Sequence, residues 1–361
     1  MTVHVEEAAQ PGLNLVVSGH APEALLVDMA GRVLHRWSRE LADVWPELAA
    51  ERELGGFETF WRRAHVLPDG GLLAIWDGLG LVRLDRDSNV VWGHAGGEHH
   101  DLWVDPGGAI HVLTRKSRSD HPRLSLDGPI EEDFVTRLAA DGRVLGEVSV
   151  LEALLDSDYA PLLAGARRRG DILHTNTIEV MDGRFAHLDR LYRAGNLLVS
   201  MPRLDTIAVI DPERRRVVWA LNGPWRFQHQ PTVLASGNLL IFDNTGHHGD
   251  SRVLEIEPLS QRIVWSWAGS PARRFTSYFL GSSQRLPNGN TLITESTAGR
   301  AFEVEPAGAI VWEYVNPHRA GGDRELIASL LEVVRIGRDE LVEDFLAGLG
   351  APGSDVEAAA P

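Results

Sequence analysis

Gln284-Arg285-Leu286-Pro287-Asn288-Gly289-Asn290-Thr291-Leu292-Ile293 reads as a strand, a tight turn of Pro, Asn and Gly, and the start of a returning strand. Asparagine and glycine accept the positive φ that a short hairpin demands, and Thr-Leu-Ile favours an extended, half-buried chain. Further on, Glu305-Pro306-Ala307-Gly308 supplies a second turn, and Val311-Trp312 closes the unit with a bulky apolar pair. One such unit is a small antiparallel sheet that cannot bury both faces by itself.

The unit recurs. Leu234-Ala235-Ser236-Gly237-Asn238 leads on to Val264-Trp265. First turns also stand at Leu67-Pro68-Asp69-Gly70, Val104-Asp105-Pro106-Gly107 and Arg193-Ala194-Gly195-Asn196, and second turns at Asp28-Met29-Ala30-Gly31 and Asp141-Gly142. Closing tryptophans fall at Trp37, Trp92, Trp219, Trp265 and Trp312, with Leu145-Gly146-Glu147 in the place of one. Packing between units is their expected job, since aromatics bury large areas. Six units predict an all-β fold, a six-bladed β-propeller over residues 12–318. The first unit has only residues 13–37 to draw on, so it must borrow a strand or stay three-stranded.

Helical signals lie in insertions, at Glu40-Leu41-Ala42-Asp43-Val44-Trp45-Pro46-Glu47-Leu48 and at Leu151-Glu152-Ala153-Leu154-Leu155. Leu326, Leu330, Val333, Val334, Leu341 and Phe345 predict an amphipathic C-terminal helix within a helical extension over 319–349. Residues 350–361 read as a disordered tail.

The charge balance narrows the partners. Among 361 residues, 51 acidic side chains face 35 basic ones, a net charge of −16. Such a field repels phosphate backbones and anionic lipid heads, so neither nucleic acid nor a membrane surface is an expected partner. With no cysteine, disulfides, thiolate nucleophiles and Cys-ligated metals are excluded. The sole lysine, Lys116, sits in a polar stretch from Arg115 to Asp120 that reads as a loop, so Schiff-base chemistry is set aside. Met1-Thr2-Val3-His4-Val5-Glu6-Glu7 shows no leader, which predicts a cytoplasmic protein.

Fifteen histidines remain, several at repeat-related places. His229, in Gln228-His229-Gln230, lies eight residues before Gly237; His99 lies eight before Gly107 and His100 seven. His174 opens the fourth unit as Leu173-His174-Thr175-Asn176. Matching positions on successive blades face a common axis, so His100, His174 and His229 are expected to converge. Asp101 could orient an imidazole. Asp243-Asn244-Thr245-Gly246-His247-His248 with Ser251-Arg252 forms a further polar cluster, readable also as a turn with a solvated tip. Glu295 ends a strand matching that of Asp243 and is a possible second acid. His65, His94, His111, His187 and His318 read as structural.

Taken in order, His99-His100-Asp101, His174-Thr175-Asn176, Gln228-His229, Phe242-Asp243-Asn244, Ser251-Arg252-Val253-Leu254-Glu255 and the stretch 284–295 resemble the bacterial arylsulfotransferases. These are six-bladed propeller enzymes that work without PAPS. The resemblance covers about residues 12–318 and implies a ping-pong transfer. An aryl sulfate sulfurylates His229, and a phenol then takes the group. It implies catalytic roles for His229, His174, His100 and Asn176, and substrate contacts from His99, Arg203, Arg252, Asp243 and Asn244, with no cofactor. The periplasmic members carry a leader, an N-terminal β-domain and a disulfide; the residues read here show none of these, and the expectation is a cytoplasmic relative. Pro202 falls where the family has a sulfate-binding arginine; either a bulge there brings Arg203 into its place or that arginine is missing.

Two other readings use the same residues. His100, His174 and His229, with His99 as an alternative to His100, could ligate a divalent metal ion through imidazoles. Alternatively, the propeller binds a small ligand or partner without catalysis.

Overall fold

A computed structural model describes residues 1–51 and 53–350; the tail expected over 350–361 lies, from 351 on, outside the described residues. The fold is a six-bladed β-propeller, and the chain divides into two compact units. One comprises Met1–Ala95 with the chain from Phe279 onward, and the other Gly96–Tyr278.

Each unit carries three antiparallel blades. In the first unit the strands Arg63–Val66, Leu72–Trp76, Gly80–Leu84 and Val90–His94 form one blade. Another comprises Ser282–Arg285, Thr291–Glu295, Arg300–Val304 and Ile310–Val315, with Val3–His4 added at its edge. The third shows how the shortage of chain at residues 13–37 is met. Leu13–Ser18, Glu23–Val27 and Val33–Ser38 are completed by Leu330–Ile336, which pairs antiparallel with Leu13–Ser18.

That strand corrects the expected C-terminal helix. Leu330-Leu331-Glu332-Val333-Val334-Arg335-Ile336 is a short apolar run, and such runs satisfy helix and strand spacing alike. The unpaired edge of the first blade decides the outcome. A six-residue helix, Glu343–Gly348, follows. It buries Phe345 against Trp37, ring centroids 6.0 Å apart, and over Gly70, where a Cβ would come within 2.3 Å of the Phe345 ring. The insertions are Leu41–Val44 and Pro46–Ala50 in this unit, and Val150–Leu155 in the other. Ser149 Oγ caps the last of these, accepting from Glu152 N at 3.0 Å.

In the second unit the blades are Glu98–Val104, Ile110–Arg118, Ile130–Leu138 and Val144–Ser149; Thr177–Val180, Leu197–Met201, Thr206–Asp211 and Arg216–Asn222; and His229–Val233, Leu239–His247, Asp250–Glu257 and Arg262–Ala268. Lys116 belongs to a strand, not a loop: across the ladder Arg115 faces Asp133 and Lys116 faces Glu132. Opposite charges in register make a polar run extended.

All six blades share a bulge between the third and fourth strands, where the outer strand carries one extra residue: Leu34, Val91, Leu145, Val218, Val264 or Val311. Two residues past each third-strand partner, Trp92, Trp219, Trp265 and Trp312 are thereby equivalent, and Gly146 stands in the third blade. The first-blade equivalent is His35; Trp37 is two residues further on. Trp37 and Trp312 nevertheless do latch neighbouring blades, donating their indole N–H to Gly70 O (2.9 Å) and Met29 O (3.0 Å). Separate apolar clusters fill each unit, built around Leu26, Trp37, Trp61 and Trp76 in the first and around Leu113, Val199, Ile210 and Leu154 in the second.

Candidate active site

The inner strand of each blade in the second unit begins with polar residues. His99, His100 and Asp101 lie on Glu98–Val104, Asn176 immediately precedes Thr177–Val180, and His229 opens His229–Val233. Register shows which positions correspond. Val104, Val180 and Val233 each pair with the first residue of the next strand. Four residues earlier stand His100, Asn176 and His229. Counted along the chain, Asn176 matches His229 and His174 lies two residues further upstream; a bulge between His229 and Thr232 sets His229 opposite Phe242, the place that Thr177 takes opposite Ser200.

Three histidines are brought together. His99 Nδ1 meets His100 Nδ1 at 2.9 Å, and the His100 and His174 rings meet edge to face with centroids 4.6 Å apart. Carboxylates end the row on both sides. Asp133 Oδ1 lies 3.5 Å from His99 Nε2, and Asp171 Oδ2 bonds His174 Nδ1. Arg115 joins the two ends, with Nε 3.0 Å from Asp133 and an Nη 3.7 Å from Asp171. Burial pushes the Asp133 carboxyl up, against the pull of Arg115 and the Thr175 N–H. Burial pushes Asp171 up as well. There the bond to His174 and the charges of His174, Arg115 and Arg203 outweigh it and hold that carboxyl down at about 2. An ionised carboxylate on Nδ1 fixes the His174 tautomer and offsets positive charge on the ring.

His229 is held by a different set of bonds. Its Nδ1 lies 2.8 Å from Asn244 Oδ1 and 2.9 Å from Phe227 O. Asn244 Nδ2 donates to the Ser277 carbonyl at 2.6 Å, which fixes the amide with its oxygen toward the imidazole. Both partners of Nδ1 are acceptors, so the hydrogen-bond network assigns the proton to Nδ1 and the lone pair to Nε2. The strand of His229 is tied to its neighbour: Asn176 Nδ2 donates to Gln228 O at 3.0 Å, and Gln230 N donates to Thr177 Oγ1 at 2.9 Å. His100, His174, Phe227 and Gln230 all hold positive φ, between 45° and 57°. Each such non-glycine residue stores about 1–3 kcal/mol that surrounding packing must sustain.

The remaining expected residues take positioning places. Asn176 spends its amide nitrogen on Gln228 O. Asp101 accepts from Leu102 N (2.9 Å) and Ile178 N (3.0 Å), joining adjacent inner strands; the carboxylates set against the imidazoles are Asp133 and Asp171. Asp243 is fully buried and accepts from Arg226 N (2.9 Å), Gly246 N (2.8 Å) and Arg252 Nε (2.8 Å). Arg252 also donates to Pro224 O at 2.5 Å, so this arginine braces the loop. Arg203 is exposed on the 3-10 turn Pro202–Leu204, which follows the end of Leu197–Met201, so strand alternation does not govern it and no bulge is needed. Its backbone N donates to Leu173 O at 3.2 Å, and its charge acts on Asp171. Glu295 lies in the other unit, bonded to Arg300 Nε at 2.7 Å.

Sequence reasoning missed Asp133, Arg115 and Asp171. The spacing Asp171-Ile172-Leu173-His174 was the available signal for the last; Glu131-Glu132-Asp133 resembles any solvated acidic run. Among the described residues, the one trio of His, Asp or Glu with donor atoms all within 4.8 Å is His20, Glu23 and His318. A cleft of about 460 Å³ in this unit, lined by Asp105, His111, Arg137, Arg193 and Asp211, opens at the turn ends of the inner strands, away from the histidines.

A family model described as Arylsulfotransferase (ASST) matches residues 63–317. Among solved structures, a protein of unknown function from Bacteroides caccae superposes with a TM-score of 0.55 at 14% identity, covering 89% of this chain and 97% of that one. A streptogramin B lyase gives 0.48 at 12% identity over 92% and 96% of the two chains. At these identities the first likeness is one of fold. None of the curated proteins matches.

Proposed function

The chain belongs to the arylsulfotransferase (ASST) family, and from that premise we propose that it moves a sulfuryl group from an aryl sulfate to a phenol through His229. The observation that supports this reading is the pair of acceptors on His229 Nδ1, Asn244 Oδ1 and Phe227 O, which make Nε2 the nucleophilic nitrogen of the neutral ring. Nε2 attacks sulfur, the sulfur–oxygen bond to the aryl group breaks, and the leaving phenolate takes a proton. In the second half the acceptor phenol gives up its proton and attacks the same sulfur, and the nitrogen–sulfur bond breaks. His174, backed by Asp171, is the acid and base for both halves. His100 adds charge stabilisation beside it. Arg203 is the cation for the sulfate oxygens. No cofactor enters this balance.

Initial rates with a chromogenic aryl sulfate at several fixed phenol concentrations test it. A sulfurylated intermediate predicts parallel double-reciprocal lines. Intersecting lines, or no transfer from any simple aryl sulfate, would remove the reading.

A further inference from the structure

A second group of histidines lies in the first unit, and the transfer chemistry does not use it. His318, read from sequence as a structural ring, stacks on His20 with centroids 3.5 Å apart and planes inclined by 10°. Glu23 is 5% exposed, and its Oε1 lies 3.0 Å from His20 Nε2. That oxygen is buried with no hydrogen-bond donor aligned on it, while Arg36 faces the other carboxylate oxygen at 3.5 Å.

The scaffold behind these side chains is built. Asn316 Nδ2 donates to Ser18 Oγ and to Ala328 O, each at 2.8 Å, and its Oδ1 accepts from His318 N at 3.2 Å. Ser18 Oγ in turn meets His20 Nδ1 at 2.9 Å. One buried amide therefore places both histidine-bearing segments, and the contact at Nδ1 sets the orientation in which Nε2 of His20 faces Glu23.

We propose that His20, Glu23 and His318 bind one divalent transition-metal ion of the zinc class. Two imidazole nitrogens and one carboxylate oxygen make a set of three protein ligands, which leaves a fourth position open. One donor atom from each residue already lies within 4.8 Å of the others. Bonds of about 2.0–2.2 Å around a tetrahedral ion would draw these atoms to roughly 3.3 Å apart, a short rotation of surface-end side chains. Arg36 holds one carboxylate oxygen and leaves Glu23 a single-oxygen ligand. An ion pair alone would need only one histidine.

Zinc titrated into the chelator-treated full chain, followed by calorimetry and by thermal melting, tests the site. One ion per chain is expected, with a rise in melting temperature. His318→Ala and Glu23→Gln should each weaken binding about tenfold or more and erase that rise. The double change His247→Ala with His248→Ala, at an exposed turn in the other unit, should alter neither. Cobalt(II) should give a tetrahedral absorption band that His318→Ala removes. Zinc that leaves the melting temperature of the native chain unmoved overturns the proposal. So does binding that survives His318→Ala undiminished or that depends on His247 and His248. Should Glu23→Gln not fold, His318→Ala, altered on an exposed connection, decides the question alone.

Discussion

Counting four residues back from the residue that pairs with the start of the second strand gives one sequence place in each blade, and the two units fill it differently. In Gly96–Tyr278 it holds His100, Asn176 and His229; in the other unit it holds Arg62, Gly281 and Glu332. Glu332 is 1% exposed and pairs with Arg63, a structural use of the same place. The fold fixes where the side chain stands, and the residue fixes whether chemistry can occur there. The proposed activity is assigned to the unit Gly96–Tyr278 because there His99, His100 and His174 meet the buried carboxylates Asp133 and Asp171 on a backbone with positive φ at His100 and His174.

The largest effect should come from breaking the reactive member of the histidine unit. His229→Ala should abolish transfer between two phenols in a coupled assay while the circular dichroism spectrum is unchanged. Next, His174→Ala should slow turnover by ~10²–10⁴-fold, the range of a lost acid–base group, and added imidazole should restore part of the rate. Wild-type rates in His174→Ala would break the assignment.

Asp171→Asn is a finer test, because Asp171 meets the imidazole at Nδ1, with Arg115 3.7 Å away on its other side. We expect a fall in kcat of about 10²-fold with a shifted pH–rate profile. It also carries a stability signature. Its folded-state carboxyl is depressed from 3.8 to about 2, so it stabilises the fold above its unfolded value, and that contribution is lost as pH falls from about 4 to about 2. Denaturant melts should show that loss in the native chain and not in Asp171→Asn. Smaller again, Arg203→Ala should raise the KM for the donor about tenfold with a lesser effect on kcat, as loss of a charged hydrogen bond would. An unchanged KM would assign the sulfate oxygens to another cation. Smallest for transfer is the other unit: Glu332→Gln should destabilise by about 3 kcal/mol through loss of the buried ion pair with Arg63, with turnover of the folded fraction unaltered.

The propeller was legible because its turns are local chemistry. Pro287-Asn288-Gly289 and its four copies announce hairpins, and the second turn at Asp28-Met29-Ala30-Gly31 brings the count of units to six. The strand Leu330–Ile336 was not legible as such, since its apolar spacing fits two periods and the edge it completes lies more than three hundred residues away in sequence. In the site, the histidines stood out as unusual residues at repeat-related places. Their alignment was less clear, because an insertion before Gly195 and a bulge after His229 hide that His174 stands upstream of the place His229 occupies. Asp133 and Arg115 were invisible for a different reason. On a charged hairpin their burial follows from what packs over the strand, and alternation cannot tell one acidic neighbour from the next.

Intact-mass measurement after brief incubation with an aryl sulfate and no acceptor tests the central claim most directly. The account predicts that the native chain gains the mass of one sulfuryl group, acid-labile and discharged by added phenol, and that His229→Ala gains none. A native chain that releases phenol without any such adduct, or a His229→Ala chain that still carries one, would contradict it.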